Sequence, residues 1–154
     1  MVETTLSGAS HHILTNDYAS EWMGIEVLKI DDGHATIRMH LRQEMLNGFG
    51  MAHGGMIFAF ADTAFALACN PANPTPKQAA NITVASGVDI NFIKPAFQGQ
   101  VITAVANRRA STGRSGLYDI QIYALTPSPD AESDAEPGEL IAEFRGRSRT
   151  ISKK

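Results

Sequence analysis

The chain has 154 residues, 44% of them hydrophobic and 19% charged, with a net charge of −3. That length and apolar content predict one globular domain over residues 1–154 with its own core, and the acidic balance argues against nucleic acid as a partner. A single cysteine, Cys69, excludes an intrachain disulfide; with no basic-then-apolar leader at the start, the expectation is a soluble, cytoplasmic protein.

In chain order, "SHHILTNDYASEW" (10–22) places Ile13, Tyr18 and Trp22 at helical spacing ahead of Gly24. This predicts a modest amphipathic helix, with His11 and His12 on a frayed terminus. "IEVLKI" and "HATIRMHL" then flank Asp31-Asp32-Gly33. In the second run Ala35, Ile37, Met39 and Leu41 alternate with His34, Thr36, Arg38 and His40, the period of a half-buried strand. The turn between the two runs makes them a hairpin.

The stretch "LNGFGMAHGGMIFAFADTAFALACN" (46–70) follows, apolar on every side from Met56 onward except for Asp62. As a helix, Met56 to Cys69 spans roughly 20 Å, short of a ~30 Å hydrocarbon core, so no membrane span is expected. "PANPTPK" ends the helix. Strands are predicted at 82–93, 100–110, 116–125 and 139–151, and the turns "AFQG" and "STGRSG" favour consecutive antiparallel pairing. Residues 126–138, "TPSPDAESDAEPG", have no apolar anchor and read as a mobile acidic loop. The one all-apolar helix can bury itself only against the dry face of the sheet. The expected class is α+β, a curved antiparallel sheet wrapped around one long central helix.

Gly54 and Gly55 stand at the start of that helix, where the first N–H groups lack intrahelical partners and carry partial positive charge. Glycine lets a ligand approach them closely, which suits a carbonyl oxygen that gains negative charge; tight packing of the helix start would also explain the pair. Asp62 shares a face with Phe58, Ala59, Phe65 and Ala66. A desolvated carboxylate in a cleft does chemistry, unless an arginine or a hydroxyl elsewhere pairs with it structurally. Asn47 before Gly48 is a turn signal, and His53 is either a base or a hydrogen-bonding anchor for the loop. No Cys/His/carboxylate set has metal-ligand spacing, so no metal is expected. There is no GxSxG elbow, and Cys69 in the apolar run reads as an inert thiol.

The 46–70 stretch, together with "INFIKPAFQGQVITAVA", "GLYDIQIYAL" and "FRGRS", resembles the phenylacetate-pathway acyl-CoA thioesterases. These belong to the hotdog-fold, 4-hydroxybenzoyl-CoA thioesterase-like superfamily, and the resemblance runs from about Ile13 to Ile151. Its most specific part is HGG with an aspartate nine residues after the histidine. The resemblance implies the hotdog fold, Asp62 as nucleophile or general base, and Gly54 offering its N–H to the thioester oxygen. It implies that Asn47 places the carbonyl or the water, with His53 and Gly55 in support. Some relatives add a Ser or Thr from the strand beside the helix; here that register falls on Gly87, with Ser86 one residue away. The implied substrate is an aryl-acetyl-CoA, phenylacetyl- or hydroxyphenylacetyl-CoA-like, or another medium-sized acyl-CoA. CoA is part of the substrate and no separate cofactor is needed. Arg114, Arg145 and Arg147, with Arg108, Arg109 and Arg149, could meet its phosphates, plain solubility being the competing explanation. A homodimer is the expected minimal unit, and a homotetramer the expected assembly. An enoyl-CoA hydratase on the same fold and a non-catalytic acyl-CoA-binding protein are the alternatives. Thioester hydrolysis asks for little machinery, because a thiol with a pKa near 8.5 leaves without a strong general acid.

Overall fold

The computed structural model describes residues 10–128 and 137–153. The centre of the predicted acidic loop lies outside the described residues. The N-terminal segment is not one helix. A 3-10 turn at His12–Leu14 is followed by Asn16 at φ 65°, and only then by helix α1, Tyr18–Met23. The break at Asn16 moves Ile13 out of phase with the rest, so the predicted apolar stripe does not form. Tyr18 and Trp22 are exposed, while Leu14, Ser20 and Met23 are buried. Trp22 instead carries the Arg42 guanidinium 4.6 Å from its ring centroid. Asp17 caps α1, and Gly24 at φ 71° ends it. Nor is His11 frayed. It is buried, its Nε2–H donates to the Asn70 carbonyl at 2.8 Å, and its Nδ1 accepts from the Ile13 N–H.

Strands β1 (Glu26–Asp31) and β2 (His34–His40) form the expected hairpin, turning at Gly33 with φ 68°. Helix α2 runs from Gly54 to Cys69. A short helix, α3 (Pro76–Ala79), was hidden in the sequence by its prolines. Pro76 is tolerated in its first turn, and Thr75 and Gln78 close a capping box. Strands β3 (Asn81–Phe92), β4 (Val101–Thr112), β5 (Ser115–Leu125) and β6 (Glu139–Ser152) complete one antiparallel sheet in the order β1-β2-β4-β5-β6-β3.

The β4–β5 and β5–β6 pairings are consecutive as expected, but "AFQG" does not close a hairpin between β3 and β4. Both edges of β4 are occupied by β2 and β5, and β3 lies at the far edge beside β6. The connecting segment docks on the chain around α2 instead. Ala96 is fully buried and accepts from the Ala52 N–H, and Gly99 and Gln100 bond to Leu41.

α2 turns Ile57, Phe60, Ala61, Ala64, Phe65, Leu67 and Ala68 to the sheet, where Ile37, Ile102, Ile120, Ile122 and Phe144 are buried. Burying each large side chain contributes about 1.5–3 kcal/mol. Gly146 on β6 makes room for the helix, since a Cβ there would lie 2.7 Å from the Phe65 ring. This is the hotdog arrangement, a curved six-stranded antiparallel sheet around one long central helix.

Candidate active site

The loop before α2 is built by Asn47. Its Oδ1 accepts from the Phe49 and Met51 N–H groups at 2.9 and 3.2 Å, and its own N–H donates to Met51 O at 2.7 Å. This Asx turn fixes the path into His53, whose N–H donates to Met45 O. His53 then caps α2: its Nδ1 accepts from the Gly55 N–H at 2.9 Å, and its carbonyl accepts from Met56 and Ile57. With that lone pair committed, His53 serves as an anchor of the helix start.

The first four N–H groups of a helix lack intrahelical partners. In α2 those of Gly55, Met56 and Ile57 are all bound by His53. Among the described residues, only the Gly54 N–H at this helix start has no hydrogen-bond acceptor. It opens on a cleft of about 330 Å³ lined by Met51, Ala52, Ile57, Phe92, Ile93 and Pro95. The Phe92 ring lies against Gly54, 3.3 Å from where a Cβ would stand. A lone donor at the positive end of a helix, in a largely apolar cleft, suits an oxygen that becomes an oxyanion.

Asp62 sits on the less buried face of α2 with Ala59 and Ala66, and beside Phe58, whose partly exposed ring reaches Phe144 of β6. Phe65, expected on this face, is buried against Tyr118 and Phe144. The Asp62 carboxyl is partly buried, and among the described residues no hydrogen bond or ion pair engages it. Burial raises its pKa above the ordinary carboxylate value, and the negative charge of Asp17 raises it further. Asp17, Ser20 and Thr63 form the hydrogen-bonded surroundings of Asp62 that the sequence did not disclose. A contact between elements far apart in the chain has no local signature.

Gly54 and Asp62 are both on α2, eight residues apart, so roughly 12 Å of helix separates them at ~1.5 Å per residue. The other candidate residues are elsewhere. Ser86 is the extra residue at an irregularity in the β3–β6 register, and its hydroxyl donates to Arg147 O at 3.1 Å. Gly87 lies beneath the Arg147 guanidinium. Arg147 pairs with Asp89 at 2.9 Å, and Arg145 with Asp119 at 2.8 Å. Arg108 and Arg109 also have carboxylate partners, Asp32 and Asp119. Arg114, in the β4–β5 turn, has none among the described residues.

A separate cavity of about 510 Å³ opens at the opposite end of α2, bordered by Asp32, Cys69, Asn70 and Arg108. It holds no ready nucleophile, since burial pushes the Cys69 thiol up to about 12. Among the described residues no three metal-ligating side chains cluster, and no helix is long and apolar enough to cross a membrane.

The sequence matches the thioesterase superfamily over residues 49–129. The acyl-coenzyme A thioesterase PaaI of Escherichia coli K12 is 34% identical over 142 residues, covering 92% of this chain and 89% of that one. The structure of E. coli PaaI, from the phenylacetic acid degradation operon, superposes with a TM-score of 0.76 over 93% of this chain and 91% of that one, at 34% identity. The phenylacetic acid degradation protein PaaI of Thermus thermophilus, in a mutant form, gives a TM-score of 0.70 at 27% identity, over 86% and 98% of the two chains. With a matching family domain over more than half its length, and a relative similar across nearly all of it, the chain belongs to the thioesterase superfamily.

Proposed function

We propose that this protein hydrolyses acyl-CoA thioesters to the free acid and CoA, and that its substrates are aryl-acetyl-CoA esters or others of similar size. The observation that carries the reading is the division of labour along α2: an N–H at Gly54 and a partly buried carboxylate at Asp62, neither with a hydrogen-bond partner among the described residues. Gly54 N–H receives the thioester oxygen as it gains charge. Asp62, ionised, either attacks the carbonyl carbon to form an acyl anhydride that water then hydrolyses, or takes a proton from an attacking water; in both cases CoA leaves as thiolate and the acyl group as the free acid. Asn47 holds the loop that aims the donor. No cofactor enters this chemistry, and Arg114 and Arg149, which have no carboxylate partner among the described residues, are the candidate arginines most available to a CoA phosphate. The aryl-acetyl preference draws on the operon of the E. coli relative.

The 12 Å between the two groups points to a dimer, in which Gly54 of one protomer faces Asp62 of its partner. β3 supports this. It is a twelve-residue edge strand with Ile82, Val84 and Phe92 exposed, an edge that proteins seldom leave bare. The opposite edge, β1, is six residues long and irregular between Val27 and Lys29, features that blunt an edge. A homotetramer built from two such dimers is the assembly we propose.

Thiol release across a panel of acyl-CoA esters, with phenylacetyl- and hydroxyphenylacetyl-CoA among them, tests the proposal. Release from these esters, abolished in Asp62→Asn, is the expected result. Hydration of an enoyl-CoA without thiol release would assign a hydratase, and binding of CoA esters without turnover a carrier.

A further inference from the structure

Hydrogen bonds fasten the N-terminal segment to α2 at two places one heptad apart. His11 Nε2–H donates to the Asn70 carbonyl at 2.8 Å, and the Ser20 and Thr63 hydroxyls are 2.9 Å apart. Thr63 lies within α2 and Asn70 caps its C-terminus in extended backbone, so the segment follows the last two turns of the helix, and its Ser20 end meets the residue next to Asp62. The second fastening has a defined direction. The Ser20 hydroxyl gives its one hydrogen to Asp17 Oδ2 at 2.8 Å, so the Thr63 hydroxyl must donate to Ser20. Asp17 Oδ1 meanwhile accepts from the Ser20 N–H at 3.0 Å. The result is a relay, Thr63 to Ser20 to Asp17, that ends on a carboxylate and starts at the residue next to Asp62.

We infer that Asp17 is a positioning residue of the proposed hydrolysis: through Ser20 and Thr63 it docks α1 beside Asp62, and it sets a second carboxylate against that group. The inference rests on the thioesterase reading for its consequence, not for its geometry. A fully satisfied relay holds α1 in one place, so the wall beside Asp62 is fixed before substrate arrives. The second negative charge makes the Asp62 carboxylate a stronger base, at the cost of protonating at higher pH. Few other titratable groups surround Asp62 among the described residues. Cys69 lies further along α2 with its thiol pushed up to about 12, and burial lowers the pKa of His11, whose Nε2–H is committed to the Asn70 carbonyl. The strands against the helix turn apolar side chains and the Tyr118 ring inward.

The test compares the pH dependence of kcat/KM for wild type, Asp17→Asn and Ser20→Ala. Asparagine caps a helix as well as aspartate does, so Asp17→Asn removes the charge and keeps the cap; Asp17→Ser is a second neutral cap if Asn is not tolerated. The expected result for the neutral variants is an acid limb displaced to lower pH, with Asp17→Glu restoring it. Ser20→Ala keeps the charge but loses both hydrogen bonds of its hydroxyl, to Asp17 and from Thr63, and should lower kcat/KM by about fivefold or more. Titration of the ¹³C-labelled Asp62 carboxyl by NMR, in the same proteins, provides a readout independent of turnover. If wild type releases no thiol from any acyl-CoA ester, the functional reading fails and the NMR titration still decides the role of Asp17. An Asp62 titration unchanged in both neutral variants would overturn the inference.

Discussion

Gly54 and Gly55 look equivalent in the sequence, yet the structure separates them. Gly55 commits its N–H to His53 Nδ1, and that of Gly54 has no acceptor among the described residues. Replacing Gly54 with proline isolates that difference. Proline suits the first helical position, where its missing N–H costs no intrahelical bond. His53, at φ −62° and ψ 133°, already has the extended backbone that must precede a proline. The neighbouring Phe92 ring is over half exposed and has room to give way. Gly54→Pro should therefore fold and lose about 10²–10³-fold in kcat, the range for removing one oxyanion donor. Thermal melting checks the fold, and wild-type turnover would remove Gly54 from the mechanism. Asp62→Asn makes the companion case, with a loss on the order of 10²-fold or more in kcat. Because burial raises the pKa of Asp62, its ionised form strains the folded state, and that strain is absent at pH values where the group is protonated. The sign follows: Asp62→Asn, which mimics the protonated form, should melt no lower than wild type at neutral pH. In the wild type, activity should fall as the pH drops through the elevated pKa. A melting temperature well below wild type would mean that the carboxylate has a stabilising partner. The sequence made these two residues legible because a glycine pair at a helix start and a charge in an apolar run are local oddities. Asp17, Ser20 and Thr63 were not legible, since each is an ordinary cap or surface hydroxyl until the fold brings them together.

At the scale of elements, the sheet faces and the long helix could be read from periodicity, whereas the strand order could not. Alternation in Ala35, Ile37, Met39 and Leu41 reports which side of a strand is dry. It says nothing about which neighbour supplies the hydrogen bonds. The path of β3 to the far edge depends on the 93–100 segment docking at Ala52 and Leu41, contacts between backbone groups that carry no residue preference. The seat of α2 on the sheet likewise depends on an inconspicuous residue. Gly146 is buried at the centre of β6 where the Phe65 ring presses in. Phe65 is itself enclosed by Tyr118 and Phe144, so it cannot swing aside. Gly146→Ala should therefore destabilise by about 1–3 kcal/mol, the usual cost of overpacking a core. Chemical denaturation measures this directly. Unchanged stability would show that the helix can shift along the sheet, which would in turn move Asp62.

The whole molecule raises the question that neither residue nor element answers: how groups roughly 12 Å apart on one rigid helix would serve one carbonyl in the proposed reaction. Reacting atoms must converge to about 3–3.5 Å, and an aspartate side chain recovers only part of the gap. The proposed two-fold dimer would resolve this without bending the helix, since it would place Gly54 of one protomer against Asp62 of the other in two equivalent composite sites. The β3 edge, with Ile82, Val84 and Phe92 exposed, would be the surface for such a pairing. Asn47 belongs with Gly54, because it builds the loop that leads into the helix start. Subunit mixing separates the two arrangements. Asp62→Asn and Asn47→Ala are each expected to be inactive as homodimers. After exchange through mild unfolding, a heterodimer with shared sites has one site carrying both defects and one carrying neither. Random pairing of equal amounts should then restore about a quarter of wild-type activity. If Asn47 and Asp62 act within the same chain, every site in the heterodimer retains one defect and the mixture stays inactive. Exchange is verified separately by mass-tagging one variant and recovering mixed dimers, so that an inactive mixture containing them refutes the composite site.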